Sequence, residues 1–423
     1  MKKLRRTIGF VFCMLCLVAV PLTAQGSSET KTVDKKVLLS VFNNQSQIAV
    51  GVLEEITENF MKEYPNIEVD FQSVGKDYES MMKVKMASND LPDVFATHGW
   101  AVLRYNDYLL DLSNEAWASR LKSSIRDVVT DDTGKLCVLP MDVDITGMTY
   151  NKGMFREYGL EVPKTFKELL EVSDQIVKKS NGTVSPLHYG GGDSWPLGGY
   201  YDFFSTSYYV SHPDHDYREQ LLDGTFDWKL YDLISENLLL LKKQGYVNKD
   251  ILTAKYTDSV QALATGKAAI GACYGAYIIT EIKKINPDFE AGMMPIPAYY
   301  PGDTPTFVGG ERTTWGIWKD SKNLEAAKLY VAYCARPENL KKIAEANGIP
   351  AGLTGVEPAL GDLEEDYKLY EDIPVFPYFD RDFLPNGMWD VMCKNGQDLL
   401  AGAITPRQYS MNMEKEYNRL RNY

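Results

Sequence analysis

Asp142 and Asp144, in the stretch PMDVDIT, are the first residues whose type and spacing could do chemistry. On a strand, residues i and i+2 share a face with Cα atoms about 6.6 Å apart. The carboxylate pairs of glycoside hydrolysis stand roughly 5 to 9.5 Å apart, so the spacing permits catalysis as well as hydroxyl binding. The run HPDHD puts His212 and His215 within reach of one metal, but Pro213 between them favours a solvated turn. GGGDSWP, Gly190 to Pro196, has the glycines of a phosphate loop without the Lys-Ser/Thr that grips phosphate. The sequence contains no G-x-S-x-G and no H-E-x-x-H. Nucleotide hydrolysis and zinc proteolysis therefore lose support, and no cofactor or metal site is expected.

Aromatic and carboxylate residues carry the positive signal. Among seven Trp and 27 Tyr, several stand in turn-like contexts: Trp195 in GGGDSWP, Trp389 in LPNGMWD, and Trp100 after Thr97-His98-Gly99. An aromatic ring laid against the C–H face of a pyranose removes apolar surface from water, while Asp, Asn and Arg chelate the hydroxyls through directed hydrogen bonds. Packing at a loop corner is the other reading for Trp100, Trp195, Trp315 and Trp389; Trp117, Trp228 and Trp318 are read as structural.

The elements that must position these residues alternate between strand and helix. Val37 to Asn43 reads as a strand, and Leu53, Ile56 and Phe60 mark one face of a helix ending before Pro65. The alternating residues of IEVDF follow as a second strand. A helix from Tyr78 to Ser88 and the apolar DVFA repeat the unit, which predicts a mainly parallel sheet covered by helices. Ile145 to Asn151 reads as one more strand, and Thr165 with Glu168 forms a capping box that opens a helix to Lys179. Further helices are marked by Leu230, Leu233, Leu238 and Leu241 up to Gly245, by Asn323 to Ala335, by Pro337 to Gly348, and from Thr405-Pro406 onward. No Ser/Pro-rich linker separates independent domains.

The chain has 423 residues, 44% hydrophobic, enough for two or three domain-sized units at about 150 residues each. Its 45 basic residues against 58 acidic give a net charge of −13, which argues against nucleic acid as a partner. Lys2, Lys3, Arg5 and Arg6 precede 13 apolar residues, Ile8 to Val20, and the small residues around Ala24 and Gly26 suit cleavage. Residues 1–26 thus read as an export signal, too short for the roughly 20 apolar residues of a membrane span. Cys13 and Cys16 leave with it and lack the lipoprotein pattern, so a lipid anchor is not expected. Cys137, Cys273, Cys334 and Cys393 are far apart and read mostly as buried thiols.

Five stretches, in order, resemble a known family: ENFMKEYPNIEVDF, KMASNDLPDVF, GKLCVLPMDVDITGMTYNKGMFREYGLEVPKTFKELLE, ALATGKAAIGACYGAY, and MMPIPAYYPGDTPTFVGGERTTWGIWKDSKNLEAAKLYVAYCA. They are similar to the extracellular solute-binding proteins of ABC importers, in the branch that carries maltose and other oligosaccharides. The resemblance spans nearly the whole mature chain. It implies an α/β periplasmic-binding-protein-like fold of two lobes with a ligand cleft between them, three hinge crossings, and no catalysis. Matching the pattern puts the crossings at 141–144, 307–313 and 355–361. The N-terminal lobe would then be 27–141 plus 313–356, and the C-terminal lobe 145–307 plus 360–423. The partners implied are a carbohydrate and membrane permease subunits, with the exported chain a monomer.

Carried over residue by residue, the resemblance implies a cleft lined by Asn43, Asn44 and Gln45 after the first strand, and by Thr97, His98 and Trp100 after PDVF. It adds Asp142 and Asp144 at the first crossing, Asp193 and Trp195 in GGGDSWP, Glu311 and Arg312 at the second crossing, and Trp389 with Asp390. Where the family commonly shows G-x-W after GKAAI, this chain reads GACYGAY, leaving Tyr274 or Tyr277 for that role. The identity of the sugar is therefore open. Alternatives are the same fold binding a polyol, peptide-like or phosphorylated solute, an exported carbohydrate-active enzyme, and a surface protein without a small ligand.

Overall fold

The computed structural model describes residues 36–45, 48–74, 78–97 and 99–421. The export signal read at residues 1–26 and the candidate ligand residue His98 lie outside the described residues.

Strands β1 (Val37–Asn43), β2 (Ile67–Ser73), β3 (Val94–Phe95) and β4 (Leu139–Pro140) open the chain. β5 (Val143–Thr146), β6 (Met148–Asn151), β7 (Ser185–His188), β8 (Ala268–Gly271) and β9 (Ala291–Met294) follow, then β10 (Phe307–Glu311), β11 (Thr314–Ile317) and β12 (Val375–Pro377). They form a five-stranded sheet β2-β1-β3-β11-β4, a four-stranded sheet β7-β8-β6-β9, and a three-stranded sheet β12-β10-β5 between them in the chain path. The chain passes from the first sheet to the second through β5, returns through β10, and leaves the first core again after Leu353.

Each large sheet carries its own core. Leu39, Val41, Leu53, Ile56 and Phe60 pack with Trp315, Tyr330, Ile343 and Leu353 around the first. Leu169, Ile176, Tyr200, Phe204, Leu238, Ile270, Met294 and Tyr409 surround the second. The molecule therefore has a first and a second lobe, each assembled from segments distant in sequence.

Periodicity located most elements. The helix Phe166–Lys179 begins with the expected capping box: Thr165 Oγ1 accepts from the Glu168 amide at 3.2 Å and Glu168 Oε2 accepts from the Thr165 amide at 3.3 Å. The helix Pro337–Asn347 stops at left-handed Gly348. Three expectations need correction. The sheets are mixed rather than mainly parallel, because β11 and β6 enter as returning strands and pair antiparallel with β3 and with β8 and β9. The single strand expected over Ile145 to Asn151 is two strands in different sheets, broken at Gly147, where a Cβ would strike the Met294 carbonyl. Asn323 precedes the helix Leu324–Cys334, but its side chain donates to the Leu38 carbonyl at 3.0 Å instead of capping.

Candidate functional site

Between the lobes lies a cleft of about 930 Å³. Its floor comes from the crossing strands. Asp144 and Thr146, two apart on β5, both face it, and Arg312 enters directly after β10. Tyr378, following β12, donates to Asp144 Oδ2 at 2.6 Å, Thr146 donates to Oδ1 at 3.0 Å, and Arg312 Nη1 stands 3.8 Å from Oδ2. Arg312 Nε is buried without a hydrogen-bond partner. This carboxylate is thus fixed in orientation by neighbours on three elements, with a guanidinium beside it.

One wall is aromatic. Trp195 does not sit in a loop: it is the first residue of the helix Trp195–Tyr209, and the glycine turn before it ends at Ser194 with φ +62°. Its ring meets Tyr256 at 5.6 Å and Tyr274 at 5.5 Å between centroids. Tyr274 is held in turn, accepting from the Gly190 amide at 2.7 Å and bonding Ser259 Oγ at 2.8 Å. Tyr277 opens the helix Tyr277–Ile285 and remains 44% exposed. Trp389 likewise belongs to a helix, Met388–Leu400, entered through left-handed Gly387. Its ring lies 3.4 Å from where a Cβ on Gly198 would be, so that glycine lets the indole lie on the Trp195–Tyr209 helix.

The centre of the cleft is charged. Asp202, buried on the Trp195–Tyr209 helix, accepts from the Asp380 amide at 2.8 Å. Burial raises both carboxyls, and the charge of Asp380 adds to the rise at Asp202. Asp382 is pushed up to about 8, by burial first and then by Glu311. Arg381, between the two aspartates, lays its guanidinium 4.2 Å from the Tyr378 ring centre and 4.9 Å from that of Trp100. Arg104 lies 4.0 Å from the same Trp100 ring and donates to Asn386 Oδ1 at 2.6 Å. Asp202, Tyr378, Asp380, Arg381 and Asp382 were not singled out in the sequence. The pattern that could have found four of them is YFDRDF, three charges among aromatics between Pro377 and Pro385.

Of the residues expected to line the cleft, Trp100, Asp144, Trp195, Tyr274, Tyr277, Arg312 and Trp389 do so. The others have different surroundings. Asp142, fully buried, accepts from the Thr313 amide at 2.7 Å, Thr313 Oγ1 at 3.1 Å and Asn347 at 2.6 Å, and burial pushes it up to about 6. It staples the crossing from behind. Asn43 accepts from the Gln45 amide at 2.8 Å; Gln45 in turn donates to Asn44 at 3.3 Å and to the Arg312 carbonyl at 3.4 Å. Thr97 and the Ala101 amide both donate to Glu311 Oε1, at 3.3 and 3.2 Å, beneath the loop that carries Trp100. Asp193 accepts from the Tyr256 amide at 2.8 Å. Asp390 faces a separate groove with Lys394 and Lys415.

Four aspartates, Asp144, Asp202, Asp380 and Asp382, and four arginines, Arg104, Arg312, Arg381 and Arg421, line the cleft. Burial pushes the carboxyls of Asp202, Asp380 and Asp382 toward the neutral form, so the cleft offers carboxyl donors and acceptors beside guanidinium donors, an array that suits a ligand rich in hydroxyls. Among the described residues no group of three or more His, Cys, Asp or Glu could hold a metal ion. Likewise, no described helix is long and apolar enough to cross a membrane.

Comparison with known proteins agrees with this geometry. Residues 45–341 match the family model described as bacterial extracellular solute-binding protein. The chain is 36% identical over 412 residues to the melibiose/raffinose/stachyose-binding protein MelE of Bacillus subtilis, covering 97% of this chain and 96% of that one. A Bacillus subtilis binding protein in an open conformation superposes with a TM-score of 0.89 at 37% identity, over 92% of this chain and 98% of that one. A Bacillus licheniformis sugar transporter protein in complex with stachyose gives 0.77 at 40% identity, over 91% of this chain and 100% of that one. The chain belongs to the bacterial extracellular solute-binding proteins.

Proposed function

We propose that this chain captures a neutral oligosaccharide of the melibiose, raffinose and stachyose series and delivers it to an ABC-type import permease. The observation that carries the reading is the pairing, in one cleft, of the rings of Trp195, Tyr277 and Trp389 with Asp and Arg side chains able to bind hydroxyls. Rings bury the apolar faces of sugar units, and the Asp and Arg side chains bind hydroxyls through directed hydrogen bonds. The relatives that bind such sugars add the series.

Segments 141–144, 307–313 and 355–361 act as hinges. A sugar touching Asp144 and Arg312 at the crossing, Trp195 and Trp389 on the second lobe, and residues of the first lobe stabilises the closed form, and only by its differential affinity for that form. The permease with its ATPase subunits reads closure. This chain itself catalyses nothing, is exported by residues 1–26 without a lipid anchor, and acts as a monomer.

The test is a thermal-shift screen, followed by calorimetry, with melibiose, raffinose and stachyose against maltotriose, polyols, amino acids and sugar phosphates. A ligand at about 100 times its dissociation constant adds about 2.7 kcal/mol, and at least one sugar of the series should do so. Trp195→Ala should weaken binding at least about tenfold, the loss of a buried aromatic contact worth at least about 1.4 kcal/mol. Stabilisation by a non-sugar solute alone would defeat the proposal.

A further inference from the structure

Exposure separates the depth of the cleft from its rim. Asp202 and Tyr274 are buried, whereas Leu222 is 54% exposed and Arg421 is exposed as well, yet all four line the same cavity. Leu222 lies on the short helix Arg218–Asp223 and Arg421 ends the helix Pro406–Arg421, and both elements are anchored in the second core, through Leu221 and Tyr417. The two helices are joined at this point. The Tyr417 hydroxyl donates to the Leu221 carbonyl, and Gly224, at φ +85°, leaves the space that the Arg421 guanidinium fills, since a Cβ there would overlap it. Burial raises the Tyr417 phenol, and the charge of Arg421 beside it counters the rise. The rim also runs on from the Trp389 ring. Leu420 lies 3.4 Å from where a Cβ on Gly387 would be, and Gly387, at φ +100°, is the residue through which the chain enters the helix carrying Trp389.

We propose that Leu222 and Arg421 form a rim subsite for an outer unit of the oligosaccharide, and that this subsite sets the preference for longer members of the series. The inference rests on the reading of the cleft as an oligosaccharide site and adds which residues read the sugar's length. A sugar stacked on Trp389 that continues outward past Gly387 meets Arg421 and Leu222. The cleft has the room: its volume of about 930 Å³ stands at the upper end of the roughly 300–1,000 Å³ of small-ligand pockets. Leu222 covers the C–H face of the outer ring and removes both from water. The Arg421 guanidinium, a group with donors and no acceptor, binds hydroxyl oxygens of that ring. Its place is set beforehand by Gly224 and Tyr417, so little ordering is left to do on binding. A disaccharide seated on Asp144 and Trp195 stops short of both residues and gains nothing from them.

Calorimetric titration with melibiose, raffinose and stachyose, a di-, a tri- and a tetrasaccharide, tests the subsite in the protein without residues 1–26, the proposed export signal. Leu222→Ser and Arg421→Ala should each weaken the longest sugar that binds by about 3- to 10-fold, the scale of one apolar contact or hydrogen bond, while the shortest that binds changes less than about twofold. Gly224→Ala displaces the guanidinium without removing it and should repeat the Arg421→Ala pattern. Met411→Ser, an exposed change on the same helix as Arg421 but outside the cleft, should leave every affinity as it is. Leu222 and Arg421 are exposed, so melting temperatures should match the parent and separate a lost contact from a lost fold. An unchanged ratio of long-sugar to short-sugar affinity in both Leu222→Ser and Arg421→Ala, or an equal loss for all sugars, overturns the subsite while the sugar reading stands. If no sugar binds the parent protein, the proposed function fails and the subsite falls with it.

Discussion

Glu311 ends β10 with 2% of its surface exposed, one carboxyl oxygen accepting from Thr97 and Ala101 and the other buried without a partner. Burial pushes its pKa up to about 7 from the ordinary value near 4.5. A raised carboxyl binds more protons folded than unfolded, so its contribution to stability declines as pH rises from about 4.5 to about 7 and is level above that. Glu311→Gln keeps an acceptor for Thr97 and Ala101 and removes the titration. Melting curves between pH 4.5 and 8 should show a clear decline for the parent protein, shallower in the variant. Parallel curves would mean that Glu311 is ionised and paired in the fold. The same residue shows where sequence reading runs out. GGERTTW pointed to Glu311 and Arg312 together, yet Glu311 ends β10 turned to Thr97 and Ala101, and only Arg312, just past the strand, reaches the cleft. Asp142 and Asp144 share a face by spacing, but Asp142 lies before β5 begins and turns to Thr313 and Asn347 instead. Side-chain direction at the end of a strand depends on the partner segment, which no local pattern encodes.

The crossing strands show what was legible at the level of elements. Apolar alternation located β1, β2 and the long helices, because burial on one face imposes its period on the sequence. β5 and β6 were read as one strand, since nothing in ITGMTYN marks a change of sheet except Gly147. β10 and β5 are held still closer. At Gly309, opposite Ile145 in the register, a Cβ would overlap the Asp144 carbonyl oxygen. Gly309→Ala must therefore push β5 away from β10 and move Asp144 with it. A loss of about 1–3 kcal/mol in denaturant unfolding is expected for such overpacking. Sugar affinity should fall with it, because Asp144 loses its registry with Arg312. A variant with full stability and full affinity would show that the two strands are not a rigid floor. The helix starts that carry Trp195 and Trp389 escaped for a related reason: GGGDS and PNG read as turns, but a helix begins at the next residue after each, and the tryptophans ride on its first turn.

Over the whole molecule charge is unevenly distributed, and this separates the sugar reading from its rivals. Without residues 1–26, the proposed export signal, the chain has 41 basic against 58 acidic side chains and is strongly negative. The cleft, lined by four Arg and by four Asp of which burial raises three toward the neutral form, is not. A neutral oligosaccharide approaching an acidic protein gains nothing from its long-range field and loses nothing when that field is screened. A phosphorylated or otherwise anionic solute would be repelled at a distance and held by guanidiniums up close, and both effects weaken as salt rises. Calorimetric titration between about 0.05 and 0.5 M NaCl spans Debye lengths from about 14 to about 4 Å. Across that range the dissociation constant for the sugar should change less than about twofold. A tenfold change would require a charged ligand or an ion released on closure, and the guanidiniums of the cleft would then have to be understood as an anion site.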